Sequence, residues 1–207
     1  AGAHPEISIL QDAWGSRLKN SGLVVPAEDF IVGPDGFDAE TVADFIPSVT
    51  EPFKFDGVQW FLPFRSESSL LSYNRELFQE VGIEAFPETW EGLRESLKKI
   101  TVDVDGDGQP ERWGATFVKP ITWLWAPFLW GAGGEFFNAD STRTAFNSDA
   151  GRMALQYWVD LVNKDKVAPA AVSAVSQGFQ AGQVGVAELG SWTATTIVKE
   201  VTFDWGA

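Results

Sequence analysis

At 207 residues, 44% hydrophobic and 21% charged, the chain is long enough to bury roughly 70% of its extended surface in one large or two small domains. It has no cysteine and a single histidine, His4, which excludes disulfide staples, thiolate catalysis, Cys-ligated zinc and multi-His metal sites. Twenty-nine acidic against 15 basic residues give a formal charge of −14, which repels nucleic acid and anionic membranes and suits neutral or cationic ligands.

Glu6-Ile-Ser-Ile-Leu10 alternates as a short strand, and Asp12 to Asn20 follows as a helix that Gly22 closes. Beyond an acidic, glycine-rich loop at Gly33-Pro-Asp-Gly36, a second helix is expected from Asp38 to Phe45, ending ahead of Pro47. Phe53 to Leu62 reads as a hairpin, because Asp56-Gly57 fits the two positive-φ positions of a type I′ turn. Its second strand empties into Pro63-Phe-Arg65-Ser-Glu67-Ser-Ser69, and polar loops at strand ends are common places for ligand contacts. Ser69 to Tyr73 is the next strand, and Asn74 caps a helix that Gly82 ends.

Thr89 caps a helix with Trp90, Leu93, Leu97 and Ile100 on one face. An acidic loop from Thr101 to Arg112 precedes a strand at Trp113 to Phe117. Ser148 caps the longest helix, to about Asn163, with Met153, Tyr157, Leu161, Ala150, Ala154, Trp158 and Val162 as its apolar stripe. A short helix within Pro169 to Gly182, a strand at Val184 to Leu189, a helix capped by Ser191 and a strand at Thr202 to Trp205 complete the series. Strands alternating with helices predict an α/β fold with a mixed or mostly parallel sheet, whose ligands gather at the carboxyl ends of strands. That rule singles out three loops: Arg65 to Ser68, the start of the helix near Trp123, and Gly190-Ser-Trp192.

Between Ile121 and Phe137 six aromatic side chains precede and flank a glycine cluster, and no face of a helix drawn there is plainly polar. Such a helix is buried or lines a cleft, where an indole can stack on a sugar face and keep its N–H for a hydrogen bond. Trp125 and Trp130 are core by their spacing. No apolar run reaches the roughly 18 residues of a membrane span, and no secretion signal opens the sequence. The chain starts at Ala1 and stops just after an expected strand, so it reads as a fragment, and an address or lipid anchor ahead of Ala1 stays open.

Three runs, Gly57-Val-Gln-Trp-Phe-Leu-Pro-Phe64, Leu71-Ser-Tyr-Asn-Arg-Glu-Leu-Phe78 and Pro87-Glu-Thr-Trp-Glu91, resemble successive motifs of the extracellular solute-binding proteins of ABC importers, sugar-binding family 1, the maltose-binding-protein-like group. Gly131-Ala-Gly-Gly134, Phe146-Asn-Ser148, Val167-Ala-Pro169, Phe179-Gln-Ala-Gly182 and Gly190-Ser-Trp192 follow in the same order, so the resemblance covers nearly the whole chain. Trp60-Phe61 stands where the family has Tyr-Gly, and Arg75-Glu76 where it has Lys-Asp.

The resemblance implies a class II periplasmic-binding-protein-like fold: two lobes with mixed sheets flanked by helices, closing over a ligand by a hinge, here incomplete at both ends. It places residues 1–72 in a partial first lobe, 73–203 in most of the second, and 204–207 at the start of the return crossover. It implies a periplasmic or extracellular protein that captures a sugar or oligosaccharide in the interlobe cleft. An ABC permease receives it, and neither nucleic acid nor a membrane span in this stretch is expected. Arg65, Ser66 and Glu67 match the loop that hydrogen-bonds ligand hydroxyls, where paired donors and acceptors suit vicinal diols; a solvated surface pair is the plainer reading of Arg65 and Glu67. Trp123 and Trp192 match stacking aromatics.

Asp103-Val-Asp105-Gly-Asp107-Gly108-Gln109-Pro-Glu111 has the oxygen ligands and glycine that open an EF-hand-type calcium loop. Position 12, where a bidentate Glu belongs, is Gly114, so the loop is either a structural calcium site or a solvated acidic turn. Two alternatives accompany the sugar reading. Arg65 suits a glycerol phosphate or another polyol phosphate, and an aromatic cleft with carboxylates also suits a carbohydrate-active enzyme, although no catalytic carboxylate pair stands out.

Overall fold

Asp56 and Gly57 have φ of 55° and 82°, and the tight turn they make joins β1 (Lys54–Phe55) to β2 (Val58–Gln59) as an antiparallel hairpin. The computed structural model describes residues 5–31, 34–117, 122–170 and 175–207. It divides into two compact units, residues 1–66 and 67–207. The first carries the hairpin and four short helices: α1 (Gly15–Ser21), α2 (Glu28–Ile31), α3 (Ala39–Asp44) and α4 (Pro47–Thr50). Gly22 ends α1 in the left-handed conformation, and Asp38 caps α3 by accepting from the Thr41 N–H, a bond that also holds its carboxyl below the usual range.

Buried Gln59 organises this unit. Its amide donates to the carbonyls of Thr50 and Phe61, and its backbone N–H donates to the Glu28 carboxylate at 2.7 Å. The expected strand at Glu6 to Leu10 does not form. No strand among the described residues pairs with it, and a strand without a ladder leaves its backbone to water, so Ile7 and Ile9 stay 87% and 65% exposed.

The second unit is built on a four-stranded mixed sheet in the order β4-β5-β3-β6. Its strands are β3 (Ser69–Asn74), β4 (Trp113–Thr116), β5 (Val184–Gly190) and β6 (Trp205–Gly206). β5 runs parallel to β4 and antiparallel to β3, which pairs antiparallel with β6. β5 is buried along its whole length, as a strand covered on both faces must be. One face packs on α5 (Arg75–Glu80), α6 (Trp90–Ile100), α7 (Thr122–Gly131) and α8 (Asp149–Val159) through Phe78, Leu97, Ile100, Leu124, Phe128, Trp158 and Leu161. The other packs on α9 (Val175–Gln180) and α10 (Ala194–Glu200) through Phe179, Ala187, Leu189 and Ile197.

Asn74, Thr89 and Ser148 cap α5, α6 and α8, each accepting from the N–H three residues on. α8 continues as a π-helical turn over Asp160–Lys164. That turn and Asp165 present two carboxylates to Arg94, Asp165 at 2.5 Å and Asp160 at 3.3 Å. Burial works against the Asp165 charge, but Arg94 and Lys98 outweigh it and hold the carboxyl below its ordinary range. Met153 is half-exposed and does not join the apolar stripe, whose Ala154, Tyr157, Trp158 and Leu161 are buried with Val162 packed against them. The division between units falls at 66/67, six residues before the lobe boundary implied by the resemblance, because all of β3 pairs within the second unit.

Candidate functional site

Because β4 and β5 are parallel and β3 runs against them, the carboxyl ends of β4 and β5 share one sheet edge with the start of β3. The last ladder pair there is Ser69 with Gly190. Pairing is extended by a reciprocal clasp: the Ser191 N–H donates to the Ser68 carbonyl at 2.8 Å, and the Ser68 N–H donates to Ser191 Oγ at 3.1 Å. Glu67 and Trp192, far apart in sequence, therefore flank one clasp.

Ser191 does not cap a helix as expected, because its hydroxyl is committed to Ser68; a 3₁₀ turn, Ser191–Thr193, leads into α10 instead. Trp192 is 45% exposed at this edge. Its ring lies over Gly190, where an added Cβ would meet the indole at about 1.9 Å. Glycine is required there for space alone, since φ −90° and ψ 152° are open to any residue.

The other proposed contacts are distributed differently. Arg65 and Ser66 are exposed and end the first unit, whereas Glu67, also exposed, opens the second. The Trp123 side chain lies outside the described residues. Further along α7, Trp125 is partly buried on the core as expected, but Trp130 is 55% exposed with its ring edge-on to Phe136. The glycines after it do pack, since a Cβ at Gly131 would touch Trp90 and one at Gly134 would strike Leu129.

Glu188, which sequence reasoning read only as part of a strand, is 2% exposed, and its Oε2 has no hydrogen-bond partner among the described residues. It lies opposite Leu71 in the ladder and lines a pocket of about 140 Å³. Burial alone pushes its carboxyl up to about 8. The available signal was a carboxylate at the centre of an otherwise apolar strand.

In the acidic loop Asp103, Asp105 and Asp107 converge, one carboxylate oxygen from each within 4.8 Å of the others, and all three are exposed. The loop is shaped by its own backbone: Asp103 accepts from Gly106 and Gly108, Asp105 from Asp107, and Asp107 from Gln109. Glu111 accepts from the Val104 N–H, and Gln109 is exposed. A bridge between Val102 and Arg112 closes the neck.

The family described as "Bacterial extracellular solute-binding protein" matches residues 1–206. The chain belongs to this family. A binding protein of Brucella abortus (strain 2308) is 21% identical over 204 residues, which covers 97% of this chain and 47% of the relative. The crystal structure of a cyclic alpha-maltosyl-1,6-maltose binding protein from Arthrobacter globiformis matches at 29% identity with a TM-score of 0.72, covering 94% of this chain and 48% of that one. UgpB from Mycobacterium tuberculosis, crystallised with glycerophosphocholine, shares the fold at 20% identity and a TM-score of 0.79, with coverage of 94% and 49%. The chain thus spans about half the length of the solute-binding relatives it matches. Among the described residues no helix is long and apolar enough to cross a membrane.

Proposed function

We propose that the chain is part of the extracytoplasmic solute receptor of an ABC importer, and that the edge of its four-stranded sheet contributes to the site for a sugar or oligosaccharide passed on to a permease. The observation that carries this reading is the clasped edge itself. Ser68 and Ser191 lock two loops together, so Glu67 supplies a hydrogen-bond acceptor for ligand hydroxyls beside the half-exposed Trp192 indole. Arg65 and Ser66 supply further polar contacts in this reading, and Trp123 a second stacking ring. The protein works outside the cytoplasm, attached by a lipid or free, and binds its ligand without chemical change. The acidic loop of Asp103, Asp105 and Asp107 takes a structural calcium ion, with Gln109 and Glu111 beside it.

Maltotriose titrated into the chain, followed by tryptophan fluorescence and calorimetry, tests the reading. Trp192→Ala should weaken binding about fivefold, the loss of one stacking contact worth about 1 kcal/mol. Unchanged affinity in that variant, or release of glucose from the maltotriose, overturns it. Glycerol 3-phosphate in place of maltotriose identifies the polyol-phosphate alternative.

A further inference from the structure

Glu188 sits two positions before β5 ends, on the sheet face that carries the larger core. Its pocket is walled by Ser69, Leu71, Trp90, Pro127 and Phe128. The wall therefore offers two aromatic rings, Trp90 and Phe128 with centroids 5.8 Å apart, and one hydroxyl. Among the described residues it offers no cation. β3, β4 and α7 contain no Lys or Arg. On α6, Arg94 is taken by Asp160 and Asp165, Lys98 by Glu95 and Asp165, and Lys99 is exposed. On α5, Arg75 pairs with Asp204, Glu80 with Arg112, and Glu76 accepts from the Asp204 N–H. Of the remaining ionisable groups on these helices, Glu91 and Glu95 are exposed on α6, Arg152 and Asp149 pair at the surface of α8, and the Tyr157 hydroxyl donates to the Trp90 carbonyl. Among the described residues the fold thus encloses a carboxyl, gives it aromatic neighbours and sets no counter-charge against it.

We propose that this pocket binds the primary ammonium group of a small organic amine, with the ammonium donating to Glu188 and the Ser69 hydroxyl and the carbon frame lying against Trp90 and Phe128. A cation between a carboxylate and aromatic rings gains from both, and the chain's charge of −14 concentrates cations around it. Without ligand the Glu188 carboxyl is held neutral at pH 7 by burial. An arriving ammonium displaces that proton to solvent, whereas a neutral hydroxyl leaves it in place, so the two chemistries differ in proton count. The inference rests on reading the chain as a binder of small polar solutes and does not require the solute to be a saccharide.

Cyclohexylammonium and its neutral analogue cyclohexanol, titrated calorimetrically into the full chain in phosphate and in MOPS buffers, decide it. The ammonium should bind at least about tenfold tighter than the alcohol and release close to one proton at pH 7. Its affinity should rise about tenfold per pH unit from pH 6 and level off above about pH 8. Glu188→Gln should abolish both the preference and the proton release while leaving the far-ultraviolet circular dichroism unchanged. Equal affinity for the two probes, binding without proton release, a preference that survives Glu188→Gln, or no binding of either probe overturns the proposal. Proton release is read on the unmodified chain, so it decides even where the variant does not fold. A parallel maltotriose titration separates the readings: ammonium binding without maltotriose binding removes only the saccharide reading, and the reverse removes only this pocket.

Discussion

The two units show what local signals accomplish with and without a sheet behind them. The first has well-formed pieces, a type I′ hairpin and a capped helix among them, yet Ile7, Ile9, Leu23, Val25, Phe30 and Ile46 are each more than half exposed. The second has three side-chain caps of the same kind, and its four paired strands also give six helices two faces to bury against, so that Leu97, Ile100, Leu124, Leu129 and Leu161 are fully enclosed. Side chains of the same kind therefore carry different weight in the two units, and Glu67, Glu188 and Trp192 lie in the unit where they carry the most.

Paired substitutions give the largest contrast. Leu97→Ala should cost about 2–5 kcal/mol in denaturant unfolding, because it removes transfer energy and leaves a cavity, while Ile7→Ala should stay within about 0.5 kcal/mol. Similar losses for both would erase the distinction between units. Next is the Arg94 cluster, where Asp165→Asn leaves the guanidinium to Asp160 alone, removes a charge-assisted hydrogen bond and should cost about 1.5–3 kcal/mol at pH 7. The Asp165 carboxyl is depressed when folded, so its contribution is present above the ordinary carboxylate range and lost as pH falls through the lower folded value. The variant should therefore match the unmodified chain in acid, which a stability profile from pH 2 to 7 checks.

Glu188 has the opposite sign. Its folded value of about 8 lies above the unfolded 4.5, so stability is full below about pH 4.5 and declines as pH rises toward 8. Glu188→Gln should flatten that decline and raise the melting temperature at pH 8, and an unchanged slope would mean that the carboxyl is not desolvated. Gly190→Ala should leave the fold standing but push the indole aside, shifting Trp emission and weakening maltotriose binding about as much as Trp192→Ala. The smallest effect belongs to the acidic loop: millimolar calcium should raise the melting temperature by about 2–4 °C, reversed by chelator and absent in Asp105→Asn.

Much of this was legible in sequence because it is set by near neighbours. Asn74, Thr89 and Ser148 cap because a short polar side chain reaches the N–H three residues on, and Asp56-Gly57 turns because its dihedrals suit few other pairs. Errors arose where a distant partner decides. Residues 6–10 alternate correctly but find no strand to pair with among the described residues, and Ser191 has the chemistry of a cap but is claimed by Ser68. Trp130 reads as core until the helix is seen to turn that side outward. Sheet order brought Glu67, ahead of the amino end of β3, and Trp192, past the carboxyl end of β5, to one edge. Glu188 escaped notice because only the register of β5 against β3 shows that its carboxyl faces a pocket.

The Ser68–Ser191 clasp also fastens the start of β3 to the turn that carries Trp192. Two bonds tie residue 68, just past the end of the first unit, to the residue preceding a tryptophan whose ring rests on Gly190. Both bonds lie within the second unit, so the placement of the indole on Gly190 depends on the start of β3 as well as on β5 itself.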